Sequence, residues 1–203
     1  MVDICTSGYV TLRAGVFAIL RSILIAKILF WCSFGLASIV YAFMVGWSLP
    51  AITKAADGEI PFDLRPFGYT MGEATSFLQA LSGEDRLFYL NVQHRLDSIY
   101  PALLAISLAL GTYLLSPADW RLTPWLGAAF AILGAGFDYL ENYRVARILA
   151  WRSETLDPKL VEAASLATIL KSACTTLAMM ILLTLLIRWL YIWWKTRRMG
   201  NLL

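Results

Sequence analysis

Apolar residues are concentrated in four stretches of the chain, which are separated by polar or turn-rich segments. The stretches cover residues 23–49, 98–115, 125–149 and 165–194. A helix that crosses a membrane needs roughly 20 apolar residues at a rise of about 1.5 Å each. The pattern therefore predicts an all-α, polytopic membrane protein: a four-transmembrane-helix bundle within a single integral membrane domain, residues 1–203.

The first apolar stretch follows a lead, residues 1–22, that carries Arg13 and Arg21. An interfacial helix and a plain cytosolic extension both fit this lead. Because the apolar run is long and lacks a convincing cleavage site, we expect a retained span and not a removable signal peptide. Pro50 is expected to end the span.

The segment 51–85 predicts a structured loop that covers one end of the bundle. Thr70 and Glu73 have the spacing of a helix capping box, and so do Ser82 and Asp85. We expect a short amphipathic helix after the first box and a long helix, continuing into the second span, after the second. The short helix has its apolar face at Phe77, Leu78 and Leu81.

Four crossings place both termini on the same side of the membrane. The last span ends in an aromatic belt that is followed by Lys195, Arg197 and Arg198. Positive residues next to a span favour the cytoplasmic side, so we expect both termini there. The protein is accordingly predicted to lie in the cell membrane or another inner membrane.

Composition agrees with this class and excludes others. Apolar types make up 59% of the 203 residues and charged types 15%, with a mean hydropathy of +0.65. Soluble domains are about 45–50% apolar. The net charge of +3 and the absence of a basic, aromatic-rich run argue against a nucleic-acid partner. The three cysteines are far apart and form no Cys-x-x-Cys pair, so neither a disulfide framework nor a thiolate metal site is expected.

Acidic residues occur unexpectedly within the third span. At about 100° per residue, Asp138, Glu141 and Asn142 share one stripe of that helix, and Arg144 lies within reach of Glu141. At about 1.5 Å per residue, Asp138 lies about 20 Å along the helix from Trp125. That depth is within a hydrocarbon core of about 30 Å, where a charge is costly unless it is paired or functional.

The same end of the bundle receives polar residues from two other spans. His94 and Asp97 share a stripe of the second span, and Thr168 and Lys171 share one of the fourth. These stripes are expected to face the third span, because facing lipid would be costly. We therefore predict His94, Asp97, Thr168, Lys171 and Arg144 as ligand-binding residues beside the acids.

Three interpretations of this polar end remain open. Asp138 and Glu141, with Asn142 as an orienting amide, could act as catalytic acid and base. The same residues could line a binding site without chemistry. An interhelical network with Lys171, Arg95 and Arg144 could simply fix the packing of the helices.

No cofactor or metal is predicted. His94 is the single histidine, and no Glu-x-x-His or His-x-x-x-His spacing occurs. Neither a glycine-rich phosphate loop nor a nucleophile-elbow sequence is present.

Our leading functional prediction is a membrane protein that binds a lipid or other amphiphile, or that serves as an accessory subunit of a partner membrane protein. The alternative is a membrane-embedded acid/base enzyme, isomerase- or hydrolase-like, that acts on a lipid-like substrate through Asp138 and Glu141. An ion-coupled carrier is disfavoured, because the chain shows no internal repeat.

Overall fold

The computed structural model describes residues 3–152 and 155–200, with side chains over 20–152 and 155–198. The described part consists of helices and their connections, without a strand. Its α-helices are α1 (Asp3–Phe43), α2 (Leu49–Ala55), α3 (Met71–Ala80), α4 (Gly83–Phe88), α5 (His94–Leu115), α6 (Thr123–Leu149) and α7 (Pro158–Gly200).

Three of the described helical segments are long and apolar enough to cross a membrane, namely Leu20–Ala55, Gly83–Leu115 and Pro158–Arg198. The chain is thus a multi-pass membrane protein, as the apolar pattern predicted. Helix α6 does not meet the same criterion of length and composition. Its apolar run from Trp125 is interrupted at Asp138, and the run contains several glycines, which contribute little hydropathy.

Helix α6 packs against both α5 and α7, and α5 packs against α1 and α7. Glycines bring these helices close together. A Cβ added at Gly127 would lie 2.5 Å from the Thr112 side chain of α5, and one at Gly134 would lie 2.6 Å from Thr175 Oγ1 of α7. Small residues therefore set the distance between the helix backbones, as is common in membrane helix packing.

The first span does not end at Pro50, contrary to the expectation. A π turn, Met44–Ser48, joins α1 to α2, and the Leu49 N–H donates to the Met44 carbonyl. Proline lacks an N–H, and its ring crowds the carbonyl four residues earlier. The wider turn displaces those carbonyls, so Pro50 fits into the first turn of α2 and the helix continues to Ala55.

A second π turn, Tyr89–Gln93, joins α4 to α5. The two π turns lie against each other, where Ser48 Oγ donates a 2.6 Å hydrogen bond to Gln93 Oε1. Neither turn was predicted, because no local residue pattern encodes an extra residue in a helical turn. π turns occur frequently at functional sites.

Both predicted capping boxes are confirmed. The Thr70 hydroxyl accepts from Glu73 N at 3.3 Å, and the Glu73 carboxylate accepts from Thr70 N at 2.7 Å. These hydrogen bonds from Thr70 hold the pKa of Glu73 below its usual value. Ser82 and Asp85 make the equivalent pair of contacts at the start of α4.

The segment between α2 and α4 folds as a cap with its own apolar core. The centroid of the Phe62 ring lies 4.7 Å from that of Tyr69, in a tilted arrangement, and 4.9 Å from that of Phe77, edge to face. These rings are buried together with Tyr89 of the second π turn and with residues of α6 and α7: Val145, Ile148, Leu149, Val161 and Ala164. This is the larger of the two buried apolar clusters in the described part of the chain. The cap is therefore fixed on the ends of α6 and α7.

Candidate functional site

Lys171 of α7 lies between two carboxylates of α6. Its Nζ is 3.1 Å from Asp138 Oδ1 and forms a still closer ion pair with Glu141. The side chains of Lys171 and Asp138 are each 13% exposed, whereas that of Glu141 is 2% exposed. One ammonium group thus holds two carboxylates, of which only Asp138 reaches the surface.

Glu141 is enclosed by two hydroxyl groups. Thr168 Oγ1 donates to Glu141 Oε1 at 2.6 Å. The Tyr69 hydroxyl, from the cap, lies beside Thr168 and near the Glu141 carboxylate. Burial, with Glu141 and Asp63 close by, raises the pKa of Tyr69 above its ordinary value, so the phenol stays protonated at neutral pH.

Asn142 links α6 to α5. Its Nδ2 donates to the Asp97 carbonyl at 3.2 Å. Pro101, four residues after Asp97, has no N–H to occupy that carbonyl, so the Asn142 amide replaces the missing helical donor. In return, His94 Nε2 lies 2.9 Å from the Asn142 carbonyl, to which it donates.

The cap adds a further carboxylate. Asp63 accepts a short hydrogen bond from the Tyr89 hydroxyl. Asp63 is also near enough to Asp97, Asp138 and Glu141 to interact with them electrostatically. We call Asp63, Asp97, Asp138 and Glu141, with Lys171 among them, the acid cluster.

Several buried polar atoms on the α5 side of the acid cluster lack a hydrogen-bond partner among the described residues. They are Gln93 Nε2, His94 Nδ1 and Asp97 Oδ2. Gln93 is fully buried and Asp97 is 3% exposed. Buried polar groups are almost always paired in folded proteins, because leaving one unpaired costs about 1–3 kcal/mol. These three atoms therefore have unused hydrogen-bonding capacity among the described residues.

The predicted site residues separate into two connected groups and one outlier. Asp138, Glu141, Thr168 and Lys171 meet between α6 and α7, and His94, Asp97 and Asn142 meet between α5 and α6. Arg144 lies apart, because its guanidinium donates to the Ala163 carbonyl at 2.6 Å. The expected contact of Arg144 with Glu141 is replaced by the ion pair from Lys171.

Four contributors to the site were not among the predicted residues: Asp63, Tyr69, Tyr89 and Gln93. The helical period places Gln93 on the polar stripe of the second span with His94 and Asp97, although Gln93 was not predicted as a site residue. Asp63 and Tyr69 lie in a loop, where no period shows which side chains turn inward. Their aromatic-rich surroundings were the only available signal.

A surface groove adjoins the site. It has a volume of about 360 Å³ and lies between the cap and α7. Tyr69 borders both this groove and the acid cluster, and its backbone N–H donates to Ser165 Oγ at 2.8 Å. Tyr69 is therefore the side chain through which the groove and the cluster meet.

The site combines hydrogen-bond donors, acceptors and an excess of carboxylates. Within residues 20–152 and 155–198, no three histidine, cysteine or carboxylate side chains come together in a geometry that could hold a metal ion. Carboxyl, hydroxyl and ammonium groups of this kind can exchange protons and can form hydrogen bonds. No protein-family model, curated protein or solved structure matches the chain.

Proposed function

We propose that α6 is the fourth membrane span and that the acid cluster lies inside the resulting bundle. Helix α6 packs between two helices that are long and apolar enough to cross a membrane. Asp138 would then lie about 20 Å from the Trp125 end, within the hydrocarbon core and below the cap. A charged cluster at that depth is costly and is usually retained for a function.

We further propose that the acid cluster binds the polar head of a lipid or other amphiphile. The observation that carries this proposal is the set of unpartnered buried atoms of Gln93, His94 and Asp97 beside the acids. An amphiphile would place hydrogen-bonding groups against these atoms and its apolar chain along the helices. Asp138 and Lys171, which are partly exposed, mark where the head would pass.

The substitution Asp138→Asn tests whether the acid cluster binds a ligand or only stabilises the fold. Lys171 would keep its ion pair with Glu141, so we expect the variant to fold. We expect a membrane lipid extract to raise the Tm of the wild-type protein in detergent, and to raise that of Asp138→Asn much less. Asp119→Asn is the matched control, because Asp119 is exposed at the opposite end of the bundle. If Asp138→Asn strongly lowers the Tm and the extract shifts no variant, the acid cluster is structural and the binding proposal fails.

An acid/base enzyme is the second candidate. It is favoured by the unequal surroundings of two carboxylates that share Lys171: Glu141 is enclosed with Thr168, whereas Asp138 is partly exposed. Such asymmetry can divide proton donation and proton acceptance between two acids. An enzyme predicts that Asp138→Asn retains the bound amphiphile but no longer converts it, which mass spectrometry of the bound lipid would show.

A further inference from the structure

We propose that the head group bound by the acid cluster is a primary ammonium, so that the ligand is a long-chain amine. The inference rests on the proposed function and specifies the ligand's chemical class. It follows from the charge of the cluster and from the hydrogen-bonding character of the unpartnered buried atoms of residues 93, 94 and 97.

Charge is the first argument. The cluster contains the carboxylates of Asp63, Asp97, Asp138 and Glu141 but one ammonium, that of Lys171. Lys171 is in direct contact with Asp138 and Glu141, so Asp97 and Asp63 have no cation in contact among the described residues. Asp97 is the buried one of the two, and a buried carboxyl stays ionised only where a counter-charge lies close to it. A cationic ligand would supply the missing charge.

Arginines near this end of the molecule are committed to other partners. Arg65 donates to the Ile60 carbonyl and pairs with Glu59 and Glu73 within the cap. Arg86 donates to two backbone carbonyls, and Arg144 donates to a third. These contacts hold the three guanidinium groups away from Asp97. A cation that binds beside Asp97 would therefore meet no competing guanidinium from these three arginines.

Hydrogen bonding is the second and independent argument. Asp97 Oδ2 is a buried acceptor without a partner in the described part of the chain, and so is His94 Nδ1, because the ring donates through Nε2. A half-turn of the Gln93 carboxamide lets Nε2 donate to Ser48, which itself donates to the Met44 carbonyl at 3.4 Å. Oε1 of Gln93 then becomes a third acceptor.

The positions of these acceptors suit a single group. Asp97 lies four positions after Gln93 and three after His94, so its side chain is a helical neighbour of each of them. A primary ammonium has three N–H donors. It can therefore satisfy all three acceptors and provide the counter-charge for Asp97, which neither a hydroxyl nor a quaternary ammonium can do.

Three probes of equal chain length test the proposal on the full-length protein in a neutral detergent. Tetradecylamine carries both charge and N–H donors, tetradecyltrimethylammonium carries charge without donors, and tetradecanol carries a donor without charge. Binding is measured by titration calorimetry and by the shift in Tm. We expect tetradecylamine to bind at least about tenfold more tightly than either of the others, because only its head group forms charge-assisted hydrogen bonds.

The variant Asp97→Asn removes the unpaired charge and keeps the shape of the side chain. We expect it to lower the affinity for tetradecylamine by about tenfold or more and to leave that for tetradecanol unchanged. Asp119→Asn should behave as the wild type with all three probes. The comparison of probes on the wild-type protein decides the matter even if Asp97→Asn does not fold.

The outcomes distinguish a failure of the ammonium inference from a failure of the proposed amphiphile binding. If the lipid extract stabilises the protein but tetradecanol binds as tightly as tetradecylamine, the ammonium inference is overturned and amphiphile binding stands. If tetradecyltrimethylammonium binds as tightly as tetradecylamine, charge alone determines the affinity and the three-acceptor argument is wrong. If neither the extract nor any probe binds, both proposals fail.

Discussion

Asn142 illustrates what a single residue contributes at this site. Its position on the inward stripe of α6 followed from the helical period of the sequence. Its role did not, because the role depends on which residue of α5 lies opposite. The structure places Asn142 against the Asp97 carbonyl, which Pro101 leaves without a helical donor. Pro101 of α5 and Asn142 of α6 thus act together, because Asn142 supplies the donor that Pro101 lacks.

A double-mutant cycle tests the coupling between Pro101 and Asn142. We expect Asn142→Ala to cost less in a Pro101→Ala background than in the wild type, by about 0.5–1.5 kcal/mol. Alanine at position 101 supplies an N–H that occupies the Asp97 carbonyl, so the Asn142 amide becomes redundant there. The free energy of unfolding is measured by denaturing-detergent titration in mixed micelles. An equal cost in both backgrounds would contradict the pairing.

Thr168 is the second residue-scale test. Thr168→Val keeps the shape of the side chain but removes the donor to Glu141 Oε1, leaving a buried carboxylate oxygen with one partner fewer. We expect a loss of about 1–3 kcal/mol in unfolding free energy. Thr184→Val is the matched control on the same helix, because Thr184 is exposed and bonds only the Met180 carbonyl. Equal effects of the two substitutions would be inconsistent with a buried bond to Glu141.

At the scale of elements, the sequence was most informative where the signal is local. The capping boxes at Thr70 and Ser82 placed the starts of α3 and α4, because a cap depends on residues three positions apart. The π turns were not predicted, and so the end of the first helix at Pro50 was wrong. Those turns depend on contacts between distant segments, such as that of Ser48 with Gln93.

Two glycines of α6 test how closely the helices pack. Gly134→Ala would place a Cβ 2.6 Å from Thr175 Oγ1 and 3.3 Å from its backbone N, so we expect a loss of about 1–3 kcal/mol. Gly136 has no atom within 4 Å of an added Cβ. Gly136→Ala should therefore leave the stability unchanged or raise it slightly, because alanine favours helix. Thermal unfolding in detergent measures both, and a harmless Gly134→Ala would exclude a tight contact between α6 and α7.

At the scale of the whole molecule, apolar length and helical period predicted a multi-pass helical protein with its polar residues at one end. They also placed the loop over that end, but they did not predict that side chains of the loop join the site. Asp63 and Tyr69 join the site because the rings of Phe62 and Phe77 fix the cap on the helices. That arrangement depends on tertiary packing of an aromatic core, which leaves no periodic trace in the sequence.

Membrane topology is the test at this scale. If α6 crosses the membrane, reporters fused to the N- and C-termini lie on the same side, and the basic tail after Trp194 predicts the cytoplasmic side. A reporter inserted in the α5–α6 connection, near Asp119, should lie on the opposite side. Termini on opposite sides would show that α6 does not cross.

The central claim is that the acid cluster binds an amphiphile, and the most direct measurement is the identity of the lipid that co-purifies with the protein. Native mass spectrometry followed by lipid extraction should show one amphiphile strongly enriched over its share of the membrane. We predict that this molecule carries an amine and is depleted from Asp97→Asn but not from Asp119→Asn. A bound lipid profile identical to that of the bulk membrane, and equal in all three proteins, would contradict the account.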